Sequence, residues 1–193
     1  MLRLVQYLNE HPVKYVTLYG FSTENWGRPK DEVSGLFDLL ARFIDKELKF
    51  IDEEDIRLRH LGRLEQLPDH LKESITRAME VTKNNSRMML NVAFNYGGRA
   101  EIVDAVRKII RDGVRPDDID ECTFETYLYT TGLPPVDLLI RTGDEVRFSN
   151  FLIWQTAYSE YYLTDVLWPD FGKEDIEKAL VSYSQRKRRF GAL

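Results

Sequence analysis

The chain has one cysteine, Cys122, and three histidines, His11, His60 and His70. A single thiol excludes an internal disulfide, and the histidines are too few to complete a Cys/His zinc cluster. A reducing, cytoplasmic setting is expected. No apolar run approaches the ~18 residues of a membrane span, and the opening MLRLVQYLNEH is amphipathic and broken by charge, unlike a signal peptide. Gly/Ser linkers, Pro-rich stretches and internal repeats are also missing, so residues 1–193 read as a single domain. An excess of positive charge is missing too: 27 Lys and Arg stand against 32 Asp and Glu, a formal charge of -5. Nothing global recruits nucleic acid, and any anion site has to be local.

What is present is the balance of a globular domain, 43% hydrophobic and 31% charged. The order of elements then sets the class. Leu2, Val5 and Leu8 mark a short helix that ends at His11-Pro12, and Tyr15 to Phe21 (YVTLYGF) reads as a strand. Apolar residues recur at helical spacing from Lys30 to about Asp55, behind a well-placed Pro29. Ile56 to Leu61 alternates like a strand, Pro68 to about Lys83 reads as a helix, and Met88 to Phe94 (MMLNVAF) as a buried strand. A turn at Asn95 to Gly98 leads into a helix over Arg99 to Arg111, closed by Gly113. A short helix around Phe124 to Tyr129 precedes the strand Val136 to Ile140. Phe151 to Ala157 looks helical, Glu160 to Leu163 extended, and Glu174 to Arg189 is a final helix. Strands alternating with helices predict an α/β fold, a mostly parallel central sheet flanked by helices, with ligand sites at the carboxyl ends of strands.

Two of those ends are rich in anion-binding groups. Ser22-Thr23-Glu24-Asn25-Trp26-Gly27-Arg28 follows the first strand, and Arg141-Thr142-Gly143-Asp144-Glu145-Val146-Arg147-Phe148-Ser149-Asn150 follows Val136 to Ile140. Each supplies hydroxyls, guanidinium groups and a glycine, the donors a diphosphate needs, and both are expected at one edge of the sheet. Ser149 is placed to N-cap the segment after it, which would leave a helix N-terminus for a phosphate. Polar loops at strand ends are ordinary, and for either loop alone plain solvation carries about even weight; together they favour a phosphate site. Asn95-Tyr96-Gly97-Gly98-Arg99 is a weaker third candidate, because turn geometry accounts for its glycines. Trp26 covers either a core edge or an apolar ligand tail. Glu160, set among aromatics, points to solvent or is held inward as a metal ligand or acid/base group. Phe37, Phe43 and Phe50 widen the face of the long helix enough to line a groove for a hydrocarbon.

FSTENWGRP with Glu32 behind it, NYGGR at Asn95 to Arg99, PVDLLIRTGDEVRFSNFLIWQ at Pro135 to Gln155, AYSEYYLTDVLWPDF up to Phe171, and RRFG at Arg188 to Gly191 resemble the signatures of the cis-prenyltransferases. These are the isoprenyl transferases related to undecaprenyl diphosphate synthase, and the motifs run in family order from about Tyr15 to the C-terminus. The resemblance implies an enzyme that condenses isopentenyl diphosphate onto an allylic diphosphate such as farnesyl diphosphate with cis double bonds. Its product would be the polyprenyl diphosphate precursor of a lipid carrier. It further implies Mg2+ as cofactor, a cytoplasmic homodimer, and peripheral contact with a membrane where product leaves. Residue by residue, Ser22, Thr23, Glu24, Asn25, Trp26 and Arg28 match the loop that holds substrate, with Asn25 and Arg28 supporting departure of diphosphate. Arg141, Arg147, Phe148 and Ser149 match the site for isopentenyl diphosphate, Glu160 a magnesium-associated acid, and Arg189 a segment that crosses the dimer interface.

Two departures from the family pattern stand out. Asp144 occupies a position where the family usually has glycine, putting a carboxylate beside a diphosphate site. The family's opening segment, of the form MDGNGRWA, and the histidine-bearing stretch after it do not occur in the 193 residues. The resemblance therefore implies that the magnesium-binding aspartate lies outside this sequence, that the 193 residues alone are inactive, and that the DNA upstream of Met1 encodes such a stretch in frame. The competing readings are a non-catalytic subunit of the same fold that supports a complete partner, and an unrelated phosphate-binding α/β protein.

Overall fold

A computed structural model describes residues 2–186. They pack as two compact units, one built on Leu8–Leu133 and one from the remaining described residues. The chain opens with helix α1 (Leu2–Asn9).

In the larger unit β1 (Tyr15–Ser22), α2 (Lys30–Glu53), β2 (Ile56–Leu61), α3 (Asp69–Val81), β3 (Met88–Tyr96), α4 (Gly98–Arg111) and α5 (Glu121–Glu125) follow in order. The three strands form a parallel sheet, β1-β3-β2, with Tyr15 opposite Met89 and Ile56 opposite Met88. β3 lies between the other two, which explains its nearly unbroken apolar run: a parallel strand covered on both faces has no solvent side. Of its two buried asparagines, Asn91 donates to the Val16 carbonyl and the Thr17 hydroxyl, both at 3.3 Å.

Helix α2 turns Val33, Phe37 and Ala41 toward Leu67, Leu71 and Ile75, with Phe21 and Phe94 beneath. The ring of Phe21 lies 5.1 Å from Phe94 and 5.3 Å from Phe37. Phe37 is thus core, not the wall of a hydrocarbon groove. The groove between α2 and α3, about 360 Å³, is instead lined by Asp38, Arg42, Asp45, His70, Glu73 and Arg77. α2 stops at Glu53 because Asp55 turns left-handed (φ 55), as the residue just past a helix C-terminus commonly does. α5 begins earlier than the apolar pattern indicated, because Asp120 caps it by accepting from the Thr123 N–H at 2.7 Å.

His60 sits on β2 with its Nε2 2.8 Å from the Phe94 carbonyl. Burial holds its pKa below the usual histidine value, and that hydrogen bond only partly offsets the effect. The folded state therefore resists protonation that the unfolded chain accepts. This contribution to stability is complete above about pH 6.5 and is lost as the pH falls toward the lowered native value. Urea titrations between pH 7.5 and 5 should show stability dropping with acidity, and His60→Gln should flatten that drop.

The smaller unit contains β4 (Leu138–Arg141), β5 (Glu160–Leu163) and α6 (Lys173–Ser184). β4 and β5 pair in parallel, Leu138 opposite Glu160 and Arg141 opposite Leu163. The Tyr7 hydroxyl donates to Glu177 at 2.9 Å, and the Lys173 ammonium sits 4.9 Å above the Tyr7 ring. The parallel α/β class is present, but among the described residues the single expected sheet is two hydrogen-bonded sheets. Phe151 to Ala157 is a series of turns, not a helix. Positive φ at Ser149 (47), Asn150 (63) and Leu152 (45) keeps a regular helix from starting there. Among the described residues no helix is long and apolar enough to cross a membrane. The expectations for Lys187, Arg188, Arg189, Phe190 and Gly191 lie outside the described residues.

Candidate functional site

The first loop is a 3-10 turn, Thr23–Gly27, at the carboxyl end of β1. The Ser22 N–H donates to Asn25 Oδ1 at 2.9 Å and the Arg28 N–H to the Asn25 carbonyl at 3.1 Å, so Asn25 folds the loop on itself. The Asn25 amide NH2 is the end left for a ligand. The Thr23 hydroxyl donates to Glu24 at 3.1 Å, and the half-exposed Arg28 guanidinium meets Glu32 at 2.7 Å, one helical turn into α2. Trp26 packs edge-on against Phe21 (5.7 Å) and Phe37 (5.3 Å) yet keeps 42% of its surface exposed. The core-edge reading of Trp26 is met by these contacts, and the rest of its surface is exposed.

Behind this loop lies a polar network of which the sequence pattern marked only Asn95 and Tyr96, as part of a weaker candidate. Trp26 Nε1 donates to Asn95 Oδ1 at 2.7 Å. Arg63 forks onto Asp104 at 2.7 and 3.0 Å, and the Tyr129 hydroxyl donates to the same carboxylate at 2.5 Å. Burial alone would push Asp104 up, but the bonds from Arg63 and Tyr129 outweigh it and hold the carboxyl below the usual range. Burial and the Asp104 carboxylate together push the Tyr129 phenol above its usual value. Glu101, 1% exposed, accepts from the Tyr96 hydroxyl at 2.5 Å and the Tyr129 N–H at 2.8 Å. Arg63, Glu101, Asp104 and Tyr129 carried no motif signal in the sequence, whereas Asn95 and Tyr96 lay in the NYGGR match, whose glycines a plain turn explains equally well.

The second loop follows β4 in the smaller unit. Arg141 carries a buried Nε with no acceptor, a donor of the kind that an anionic oxygen satisfies. The loop leaves it through Gly143 (φ 81) and Asp144 (φ 56), whose N–H groups bond the Val166 and Thr164 carbonyls at 2.9 and 3.0 Å. Two consecutive left-handed residues account for a glycine pair in the family pattern, and aspartate is among the few residues that tolerate this geometry. Arg147 is exposed and meets Glu145 at 2.8 Å. Phe148 tilts against Tyr161 at 4.7 Å. Ser149 takes the left-handed conformation ahead of turns, so the expected N-cap, and the helix N-terminus it would offer a phosphate, are not formed.

Glu160 starts β5 and bonds Arg186 Nη1 at 2.6 Å, while Arg186 Nη2 reaches the Tyr161 carbonyl at 2.9 Å. No group of three or more His, Cys, Asp or Glu side chains placed to hold a metal occurs among the described residues. A magnesium ion bound chiefly by phosphate oxygens and water asks for only one or two carboxylates. Glu160 fits that lesser requirement.

The structure is a parallel α/β scaffold with guanidinium-bearing loops after β1 and β4, and comparison with known proteins places the chain in a family. The prenyltransferase family model described for undecaprenyl diphosphate synthase matches residues 1–191. The isoprenyl transferase of Fusobacterium nucleatum is 52% identical over 191 residues, covering 99% of this chain and 82% of that protein. The farnesyl-diphosphate-specific ditrans,polycis-undecaprenyl-diphosphate synthase of Pectobacterium atrosepticum is 46% identical over 193 residues, covering 98% and 76%. Among solved structures, lavandulyl diphosphate synthase of Lavandula x intermedia, in complex with dimethylallyl diphosphate, superposes with a TM-score of 0.93 at 37% identity, covering 98% and 84%. A probable undecaprenyl diphosphate synthase of Campylobacter jejuni gives 0.90 at 35%, covering 99% and 89%. The chain belongs to the undecaprenyl diphosphate synthase family of prenyltransferases.

Proposed function

We propose that this chain lengthens an allylic diphosphate such as farnesyl diphosphate with isopentenyl diphosphate units, forming each new double bond cis, to make a polyprenyl diphosphate precursor of a lipid carrier. Identity to enzymes of that activity along nearly the whole chain supports this over a supporting-subunit role. The structural observation that carries it is the buried Arg141 Nε without an acceptor.

In this reading the Ser22–Arg28 loop serves the allylic substrate. The open face of Trp26 covers apolar tail, and the Asn25 amide and Arg28 guanidinium take the charge that grows on the leaving diphosphate. Thr23 and Glu24 hold the shape of the loop as much as they meet ligand, since the hydroxyl of one is bonded to the carboxylate of the other. Arg141 and Arg147 bind the diphosphate of isopentenyl diphosphate through planar forks that match its oxygens, with Ser149 adding a hydroxyl and Phe148 an apolar flank. Glu160 would contribute one carboxylate to Mg2+, once Arg186 releases it. When bound, the ion neutralises diphosphate charge. The proposal extends to a cytoplasmic homodimer in which Arg189 reaches the partner, with peripheral membrane contact at product release.

The test is incorporation of labelled isopentenyl diphosphate onto farnesyl diphosphate, with products identified by mass spectrometry. It is run on the 193 residues, with Arg141→Ala alongside as the control for the site. Polyprenyl diphosphates are expected; failure to bind or extend farnesyl diphosphate would refute the reading. Asp144→Gly should tighten isopentenyl diphosphate binding by about two- to fivefold at low salt, an effect that fades as salt screens the removed charge.

A further inference from the structure

Asn95 joins three segments through one amide. It ends the central strand β3, is 1% exposed, and holds φ at 51, a conformation that asparagine accepts better than most residues. Its Oδ1 receives the Trp26 indole N–H at 2.7 Å, while its Nδ2 donates to the Arg63 carbonyl at 2.9 Å and to Gln66 Oε1 at 3.2 Å. The two ends cannot be exchanged, because an indole N–H only donates and a backbone carbonyl only accepts.

The anchor is stiff. The Asn95 carbonyl takes the Arg63 N–H at 3.1 Å, and the Arg63 side chain is forked onto Asp104. Trp26 stands in a five-residue turn whose edge contacts with Phe21 and Phe37 set how deep the ring sits. Those contacts are weakly directional; the bond to Asn95 is the directional one. An indole with 42% exposure has water within reach and does not need a buried partner for its N–H. A buried side chain in a left-handed residue that aims its only acceptor at a half-exposed aromatic is therefore better explained by control of that aromatic.

We infer that Asn95 is a positioning residue: it fixes the orientation of Trp26, and with it the Ser22–Arg28 loop, for the hydrocarbon end of the allylic substrate. The inference rests on the proposed function for the identity of that substrate, but not for the Asn95–Trp26 coupling itself. The coupling is read from the indole N–H resonances of 15N-labelled protein, of which there are three, with Trp26 assigned by Trp26→Phe. Asn95→Gly keeps the backbone conformation and removes the acceptor; the Trp26 resonance should move upfield toward a free indole. Asn95→Asp keeps an acceptor and gives up the donors to Arg63 and Gln66; the resonance should stay near its wild-type position.

Farnesyl diphosphate binding supplies the second readout. Asn95→Gly should weaken it about tenfold, and in a Trp26→Phe background it should add little, because the residue it positions is gone. An unmoved Trp26 resonance in Asn95→Gly, or an equal loss of affinity in both backgrounds, would overturn the inference. Absence of farnesyl diphosphate binding by the wild-type chain would instead overturn the proposed substrate, with the indole resonance still deciding the coupling.

Discussion

Arg141→Ala should cut the rate of isopentenyl diphosphate incorporation by at least about a hundredfold, two tenfold steps or roughly 2.7 kcal/mol, with the larger part in KM for that substrate. The expectation follows from the state of the side chain without ligand. Its Nε is buried and has no acceptor, so the protein already carries the desolvation cost of that donor. An anionic oxygen placed there gains a charge-assisted bond at no further desolvation of the donor, and such bonds contribute about 1.5–3 kcal/mol each. Arg141→Lys keeps the charge but not the planar fork and should restore only part of the rate. Losses of similar order are expected for Arg28→Ala and Arg147→Ala. Both of these guanidiniums are bonded to carboxylates, Glu32 and Glu145, that have to yield them to substrate. Wild-type rates in all three variants would remove the loops from the site.

The elements that were legible in the sequence are those where one physical requirement dominates. β3 is continuous in apolar residues because it is covered on both faces, and the stripe Val33, Phe37, Ala41 repeats at helical spacing because one side of α2 is core. What the sequence hid depends on partners distant along the chain. Residues 151–157 have the apolar content of a helix, yet left-handed backbone at Ser149, Asn150 and Leu152 turns the chain instead. Single residue types do not announce that choice. The division of the strands into two sheets is likewise invisible, since each strand keeps the same buried character whichever neighbour it pairs with.

The same divide runs through the candidate site. Arg28, Arg141 and Arg147 stood out as candidates because they sit in glycine-containing loops after strands and within stretches that match the family's motifs. Asn95 was marked only within a weaker candidate loop, because a buried amide and a turn-forming amide look alike until the indole of Trp26, 69 residues away, is seen to bond it. Arg186 was masked by the basic run around it, in which nothing marks the one guanidinium that pairs with Glu160.

The largest expected effect on stability is at Gly62, directly after β2. It holds φ at +132, a region that side-chain-bearing residues rarely enter, and a Cβ there would lie 2.4 Å from the Phe94 carbonyl oxygen and 2.7 Å from that of Asn95. Both atoms are backbone of the central strand, so neither can swing aside as a flexible side chain would. Gly62→Ala has to distort the sheet or its own backbone, and a cost of about 3 kcal/mol or more is expected. For a chain of this size that lowers the thermal midpoint by roughly 6–12 °C. The displaced backbone includes that of Asn95, so the Trp26 indole resonance should shift in the same variant. Gly35, inside α2, gives the opposite sign. Nothing lies within 4 Å of its missing Cβ, and alanine in a helix interior is favoured over glycine by about 0.8–1.0 kcal/mol. Gly35→Ala should therefore raise the thermal midpoint and leave the Trp26 resonance where it is. The two substitutions add the same single methyl group, so opposite outcomes would tie the effect to the backbone conformation and crowding at residue 62, not to the added volume.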